Sequence, residues 1–382
     1  MKHSKRITFG LAATAAVGAL VLSGCSASEP DSDDSASSGD LTPVKLQLQW
    51  LTQAQFAGYY AAAAEGYYED EGLDVEIIQG GGDIVPQDAL ANGDVDYAIS
   101  WVPKVLGSIE NGAKITDVAQ IFERSATLQV SFADEDITTA ADLKGKTIGS
   151  WGYGNEWELY AGLNKAGVTD DVTVVSQNFD MNALLSGDID AAQAMTYNEY
   201  AQLLESENPD TGELYTADDF NVIDWNEEGT SMLQDAIWAD SERLESDEEY
   251  ADTTVKFIKA SIKGWAFARD NAQDAADEVT AAGSTLGLSH QLWMTNEVNK
   301  LIWPSTTGGV GTIDTDAWDA TVAMALETSN ETGATIITEE PPATAYSNEY
   351  VEKALAELKD EGVDVVGADF EPLTVELKAG GE

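Results

Sequence analysis

Residues 44–78 read VKLQLQWLTQAQFAGYYAAAAEGYYEDEGLDVEII and predict a strand, a helix and a second strand in succession. Apolar and polar residues alternate from Val44 to Trp50, which is the period of a half-buried strand. The alanine-rich stretch 56–65 is compatible with a helix that ends at Gly66, and 73–78 is a second apolar run that stops at the glycines 80–82. Strands that alternate with helices at this spacing indicate βαβ units and a largely parallel sheet.

The same pattern starts again further along the chain. Strands are predicted at 145–149, 172–176 and 189–195, with helices at 156–166 and 181–185. Two short strands, 222–224 and 234–239, are interpreted as the return to the first part, and helices follow from residue 250, at 317–326 and at 349–358. The sequence therefore predicts an α/β protein with two βαβ lobes. The predicted divisions are 44–133 plus 232–338 for lobe 1, 134–231 for lobe 2, and 339–382 for a C-terminal helix and tail.

The N-terminus predicts export and a lipid anchor. Basic residues at 2, 5 and 6 precede the apolar stretch 7–22, and the tetrapeptide Leu22-Ser23-Gly24-Cys25 follows. This arrangement resembles a bacterial lipobox, so 1–24 is predicted to be a lipoprotein signal peptide, with lipidation at Cys25 and a disordered tether over 25–43. The alternatives are an ordinary secretory peptide and a disulfide, but Cys25 is the only cysteine and has no internal partner.

Charge argues against nucleic acid as a partner. The chain has 69 acidic and 19 basic residues and a formal net charge of -50, which repels phosphate-rich polymers. Most of these carboxylates are expected to form a solvated surface, which a high-salt habitat would also suit because salt screens their repulsion. With so few bases, a cleft in this protein is expected to have little with which to neutralise a free anion.

The residues that most enzymes and metal sites need are scarce. Without the signal peptide, His290 is the only histidine, and no second cysteine accompanies Cys25. There is no Walker-type glycine loop, and the segment 149–154 (GSWGYG) lacks the spacing of a dinucleotide fingerprint. We therefore predict no catalytic residue, no metal and no cofactor.

Aromatic and polar side chains follow the predicted strands where each strand ends. In open α/β sheets ligands collect at the carboxyl ends of strands, and rings combined with a few directional polar groups suit a planar heterocycle. The predicted ligand-binding residues are Trp50, Gln53, Phe56, Ser100, Trp101, Ser150, Trp151, Asn155, Glu156, Tyr197, Asn198 and Glu199. Alternatively, several of these aromatic residues belong to the core, and Trp50 is the most ambiguous because it continues the inward register of its strand.

Four segments together resemble a known family. They are 46–77, DVDYAISW at 94–101, DLKGKTIGSW at 142–151 and GDIDAAQAMTYNEY at 187–200. In this order they resemble substrate-binding proteins of ABC importers, in the branch related to thiamine-pyrimidine-precursor binders, over residues 44–305. The resemblance implies a type II periplasmic-binding fold that captures a small-molecule solute between two lobes and delivers it to a permease. Related proteins take sulfonates, nitrate, formylated pyrimidines or riboflavin-like rings.

The same branch contains fungal pyrimidine-phosphate synthases, which use a lysine that holds pyridoxal phosphate, a histidine and a cysteine-rich iron motif. The position of the synthases' lysine corresponds to Ser100 in this chain, and the position of their histidine lies near Lys104. This chain also has no cysteine cluster, so the resemblance favours binding over synthesis. We predict a monomeric, extracytoplasmic, lipid-anchored solute-binding protein. An aminopyrimidine is the first choice and a flavin the second, with Glu199 or Glu156 accepting from an amino group and Asn198 fixing the orientation.

Overall fold

The computed structural model describes residues 41–382, so the predicted signal peptide, Cys25 and most of the predicted tether lie outside the described residues. Among residues 41–382, no helix combines the length and the apolar composition needed to cross a bilayer.

Strands and helices alternate through most of the described chain. The strands are β1 (Thr42–Gln47), β2 (Leu73–Ile78), β3 (Tyr97–Trp101), β4 (Ile115–Gln120), β5 (Thr127–Phe132), β6 (Thr147–Ser150), β7 (Thr173–Ser176), β8 (Ala192–Met195), β9 (Phe220–Asp224) and β10 (Asp235–Asp240). The helices are α1 (Ala57–Ala64), α2 (Tyr67–Asp70), α3 (Pro86–Ala91), α4 (Val102–Glu110), α5 (Trp157–Ala166), α6 (Asn182–Leu185), α7 (Glu199–Leu204), α8 (Trp225–Glu228), α9 (Ser241–Ser246), α10 (Glu248–Asp270), α11 (Ala272–Ala281), α12 (Leu288–Ile302), α13 (Thr315–Glu327) and α14 (Glu349–Asp360). The predicted α/β class is confirmed.

The strands form two sheets of five strands, and corresponding strands occupy the same spatial order in both. The first is five-stranded, β2-β1-β3-β10-β4, with β1 parallel to β2 and β3, and β10 antiparallel to both of its neighbours. In the second, β8-β5-β9 and β6-β7 are joined by a parallel bridge between Ile148 and Ala191, which gives β7-β6-β8-β5-β9. The predicted largely parallel sheet is therefore interrupted by one antiparallel strand in each sheet, β10 in the first and β5 in the second. Each of these is the strand with which the chain enters its sheet from the other one.

The sheet pairing does not follow the predicted boundary after residue 133. Strand β5 lies within the predicted range of lobe 1, but it pairs with β8 and β9 of the second sheet. The chain crosses between the sheets at 121–126 and again at 225–234. The β5 sequence TLQVSF alternates polar and apolar residues, which is typical of a strand but does not indicate which sheet the strand joins. The division into lobes stays a prediction.

Helix α10 covers the first sheet and packs closely on α1. A Cβ built on Gly264 would lie 1.9 Å from the backbone oxygen of Gly58, and one on Gly58 would lie 2.2 Å from the Trp265 ring. The two helices touch through backbone at this point. Two lysines of α10 form ion pairs: Lys259 contacts Glu71 at 2.9 Å and Glu361 at 2.6 Å, and Lys263 contacts Glu361 at 2.7 Å.

We expect Gly264→Ala to lower the free energy of unfolding by about 3 kcal/mol or more, because the added methyl group must separate two helices. Chemical denaturation measures this. Gly107→Ala on α4 is the matched control: its nearest neighbour would be the Ile336 oxygen at 3.7 Å, so it should gain about 0.5 to 1 kcal/mol in helix propensity. Equal effects of the two substitutions would contradict the proposed close contact.

Candidate functional site

A cavity of about 720 Å³ lies where the carboxyl ends of strands from both sheets meet. All the predicted ligand-binding residues except Phe56 and Ser150 line it: Trp50, Gln53, Ser100, Trp101, Trp151, Asn155, Glu156, Tyr197, Asn198 and Glu199. These residues lie at or just after the carboxyl ends of β1, β3, β6 and β8, so strand ends that are far apart in sequence converge on one site. The site also includes residues that sequence reasoning missed, among them Gln49, Lys104 and Phe179.

Phe56 and Ser150 lie behind the cavity wall. Phe56 belongs to a short 3-10 turn, Ala54–Phe56, that directs its ring into the core, where it is fully buried. The Ser150 hydroxyl donates to Oε1 of Gln193 at 2.9 Å, and the same oxygen accepts from the Trp151 backbone N–H at 3.1 Å. Ser150 therefore helps to hold the loop after β6 and does not face the cavity.

The carboxylate of Asp235 organises one wall of the cavity. One of its oxygens accepts from Trp101 Nε1 at 2.7 Å and Gln49 Nε2 at 2.6 Å, and the other accepts from Gln55 Nε2 at 3.0 Å. Gln55 in turn accepts from Gln53. Burial raises the pKa of Asp235 to about 7, although the three hydrogen bonds oppose the shift. This network fixes the orientation of the Trp101 indole.

Three aromatic rings gather on another side of the cavity. The ring centroids of Trp50 and Phe179 are 4.5 Å apart, and those of Trp151 and Phe179 are 6.0 Å apart. Phe179 lies in the segment after β7, where no hydrophobic period indicates a contact, so sequence reasoning could not identify it. Tyr153 also lines the cavity, although its side chain is 90% exposed. The cavity therefore has an apolar, aromatic face.

A chain of hydrogen bonds leads from Glu199 to helix α12. Glu199 accepts from the Met195 backbone N–H at 3.0 Å and from Asn198 Nδ2 at 2.8 Å. The Asn198 oxygen lies 3.0 Å from His290 Nε2, and His290 Nδ1 lies 2.8 Å from Glu205. Burial raises the pKa of Glu199 to about 7. His290, which the sequence singled out only by its scarcity, thus positions a predicted ligand-binding amide.

Lys104 brings a cation into the cavity, contrary to the expectation that the cleft has little to neutralise an anion. It lies in the first turn of α4, and its Nζ is 4.7 Å from the centroid of the Trp101 ring. Burial lowers the pKa of Lys104 to about 8, while the charges of Asp235 and Glu156 oppose the shift. Composition alone could not show this, because a chain with few bases can still place one of them at its site.

A model of the NMT1/THI5-like family matches residues 53–275. The formylaminopyrimidine-binding protein of Halalkalibacterium halodurans is 27% identical over 64% of this chain and 70% of that protein. The riboflavin-binding protein RibY of Chloroflexus aurantiacus is 27% identical over 68% of this chain and 74% of that protein. A hydroxymethylpyrimidine phosphate synthase of Aspergillus parasiticus is 27% identical over 42% of this chain and 48% of that protein.

Solved structures show the same fold. The periplasmic aliphatic sulphonate binding protein SsuA of Escherichia coli superposes with a TM-score of 0.55 at 15% identity, over 88% of this chain and 94% of that chain. The periplasmic-binding fold predicted from the sequence is confirmed.

The buried carboxyl groups should make the protein more stable in mild acid. Asp235, Glu158 and Glu199 all have pKa values raised to about 7 by burial, so between about pH 4 and pH 7 the folded state binds more protons than the unfolded state. The free energy of unfolding should therefore fall as pH rises towards 7, by up to about 1.4 kcal/mol per pH unit for each group.

Denaturation at several pH values tests this with Glu199→Gln, which reproduces the neutral carboxyl group. We expect a shallower pH dependence than in the wild type. Glu76→Gln changes an exposed carboxylate on β2 and serves as the control, with an unaltered slope. If Glu199→Gln and the wild type had the same slope, Glu199 would not be a proton-binding group of the folded state.

Proposed function

The chain belongs to the NMT1/THI5-like family, and from this premise we propose that it is an extracytoplasmic solute-binding protein that captures a small planar heterocycle and delivers it to an ABC permease. The observation that carries the proposal is the cavity at the strand ends, where aromatic rings and polar side chains meet. Two proteins to which this chain is 27% identical bind heterocycles, according to their names.

The first candidate ligand is an aminopyrimidine of the thiamine pathway. Trp101 and Tyr197 both supply rings to the lining, and Glu199 supplies an acceptor for an exocyclic amino group. Asn198 is held by His290 and Glu199, so its amide has a defined orientation towards a ligand. The name of the Halalkalibacterium halodurans relative supports this choice.

A flavin is the second candidate, favoured by the size and lining of the cavity. A volume of about 720 Å³ lies within the range of about 300 to 1,000 Å³ that is usual for drug-sized ligands, and exceeds the needs of a single six-membered ring. The cluster of Trp50, Trp151 and Phe179 offers additional aromatic surface for a fused ring system. The name of RibY supports this candidate.

We favour binding over catalysis. The fungal synthases of this branch need a lysine where this chain has Ser100, and the Ser100 hydroxyl, which cannot form a Schiff base, donates to Gln87 at 3.1 Å. Lys104 is the amine that does reach the cavity. A visible absorption band after incubation with pyridoxal phosphate, lost in Lys104→Met, would instead support an enzyme.

Release and capture are proposed to proceed by movement of the two sheets about the crossing segments. Residues that follow strands of both sheets line the cavity, so a solute between them contacts both sides and stabilises the closed arrangement. The crossing segments contact each other: Gln234 accepts from the Ala126 backbone N–H at 2.9 Å and donates to Thr127 at 2.7 Å. The permease would recognise the closed form of a monomer.

Calorimetric titration with hydroxymethylpyrimidine, formylaminopyrimidine, riboflavin, taurine and nitrate tests the ligand class. We expect a heterocycle to bind, and Trp101→Phe to weaken it about tenfold, because the smaller ring loses contact area and the hydrogen bond to Asp235. Phenylalanine is preferable to alanine, since Trp101 and Tyr197 are 6% and 2% exposed and truncation would also destabilise the core.

Trp318→Phe is the matched control, because Trp318 is buried against Tyr346 in a different core cluster. It should leave affinity unchanged. Binding of taurine or nitrate alone, with no effect of Trp101→Phe, would rule out the aromatic site.

The lipid anchor is part of the proposal and rests on Leu22-Ser23-Gly24-Cys25. In a bacterial host, Cys25→Ser should release the protein to the medium or leave it uncleaved, because the acylated thiol is lost. Ser26→Ala, one residue further on, should remain in the membrane fraction and incorporate labelled palmitate. A Cys25→Ser protein that still carried lipid would show that the lipobox interpretation is wrong.

A further inference from the structure

Lys104 is a half-buried ammonium group in the cavity for which the described part of the chain provides no hydrogen-bonded acceptor. Among the residues described as lining the cavity it is the only lysine, arginine or histidine. The two carboxylates that influence it most, those of Asp235 and Glu156, act on it through their charge. A half-buried ammonium group keeps only part of its hydration, so an acceptor that enters the cavity gains a charge-assisted contact with it at a reduced desolvation cost.

Lys259 shows how the same chain satisfies a buried ammonium group elsewhere. Its side chain is 8% exposed and contacts carboxylates of Glu71, Glu357 and Glu361 at 2.9, 3.1 and 2.6 Å. In a protein with 69 acidic residues, an unpaired lysine in a cavity is not explained by a shortage of carboxylates.

The carboxylates near Lys104 are engaged with other donors. Asp235 already accepts from Trp101, Gln49 and Gln55. Glu156 accepts from the backbone N–H of Gly154 at 2.8 Å, which holds its side chain against its own loop. The acceptor for Lys104 is therefore best supplied by a molecule that enters the cavity.

We propose that the solute carries an anionic group, a carboxylate, phosphate or sulfonate, that pairs with Lys104 while its planar ring lies against the aromatic side chains. The proposal that the solute contains a planar ring rests on the proposed function, whereas the proposal that it carries an anionic group rests on Lys104. This inference names a class of ligand that the neutral heterocycles considered above do not include.

The position of Lys104 fixes where the anionic group would lie. The Nζ atom is held 4.7 Å from the centroid of the Trp101 ring, and the stem passes the Gly154 backbone so closely that a Cβ there would be 3.2 Å from Lys104 Cγ. Lys104 projects from the first turn of α4, where the helix dipole adds partial positive charge. A ring beside Trp101 would thus place a charged substituent on the α4 side of the cavity.

Paired ligands that differ only in the charged group test the proposal. We would titrate hydroxymethylpyrimidine against its phosphate ester, and riboflavin against riboflavin 5′-phosphate, into the wild type, Lys104→Met and Lys104→Arg. The anionic member of at least one pair should bind the wild type tenfold or more tightly than its neutral partner. Lys104→Met should abolish that preference, and Lys104→Arg should retain most of it.

Lys45→Met is the matched control, since Lys45 is exposed on β1 and its loss changes the net charge equally. It should keep the preference for the anion. Equal or tighter binding of the neutral member by the wild type, or a preference that survives in Lys104→Met, would overturn the inference.

The outcomes also separate this inference from the proposed function. If neutral rings bind and Lys104→Met does not change the affinity for any member of either pair, the heterocycle proposal is supported and the anion site is ruled out. If no ring compound binds but a small aliphatic sulfonate or phosphate binds and Lys104→Met abolishes that binding, the anion site is supported and the heterocycle proposal is ruled out.

Discussion

The carboxylate of Asp235 is the constraint on which the cavity depends. It begins β10, the strand that returns from the second sheet, and it receives hydrogen bonds from Trp101 at the end of β3 and from Gln49 and Gln55 after β1. A buried carboxylate is costly unless its oxygens are satisfied, so these donors are held where it needs them. One side chain therefore holds three chain segments together and fixes the plane of the indole that lines the cavity.

The other wall is fixed through the crossing segments and α12. Glu158 of α5 accepts from the Met232 backbone N–H at 2.6 Å and from Ser125 at 2.9 Å, and so binds both segments that connect the sheets. His290 of α12 reaches Asn198 and Glu205 beside α7. Because the contacts that hold the polar ligand-binding residues also join the two sheets, a change in their relative position alters the shape of the site directly.

The sequence predicted most of this arrangement for a physical reason. Parallel strands end at a common edge, so residues that follow them, such as Trp101, Trp151 and Tyr197, could be assigned to one site without knowledge of the loops. Strand β4 was missed because Ile115–Gln120 is buried throughout and shows no alternation. Phe179 and Lys104 were missed because their position depends on loop and helix placement, which periodicity does not encode. Phe56 was misassigned because a short turn reverses its direction.

The surface charge and the cavity charge act over different distances. With a net charge of -50, the protein repels anions at long range, and that repulsion is strong within a Debye length of about 10 Å at 0.1 M salt and about 3 Å at 1 M. A partly buried pair with Lys104 is screened much less, because little solvent separates its charges. Added salt should thus speed the approach of an anionic solute more than it weakens its final contact. An acidic surface is therefore compatible with the proposed anionic solute: the surface charge would slow the approach of an anion, while Lys104 would stabilise the bound one.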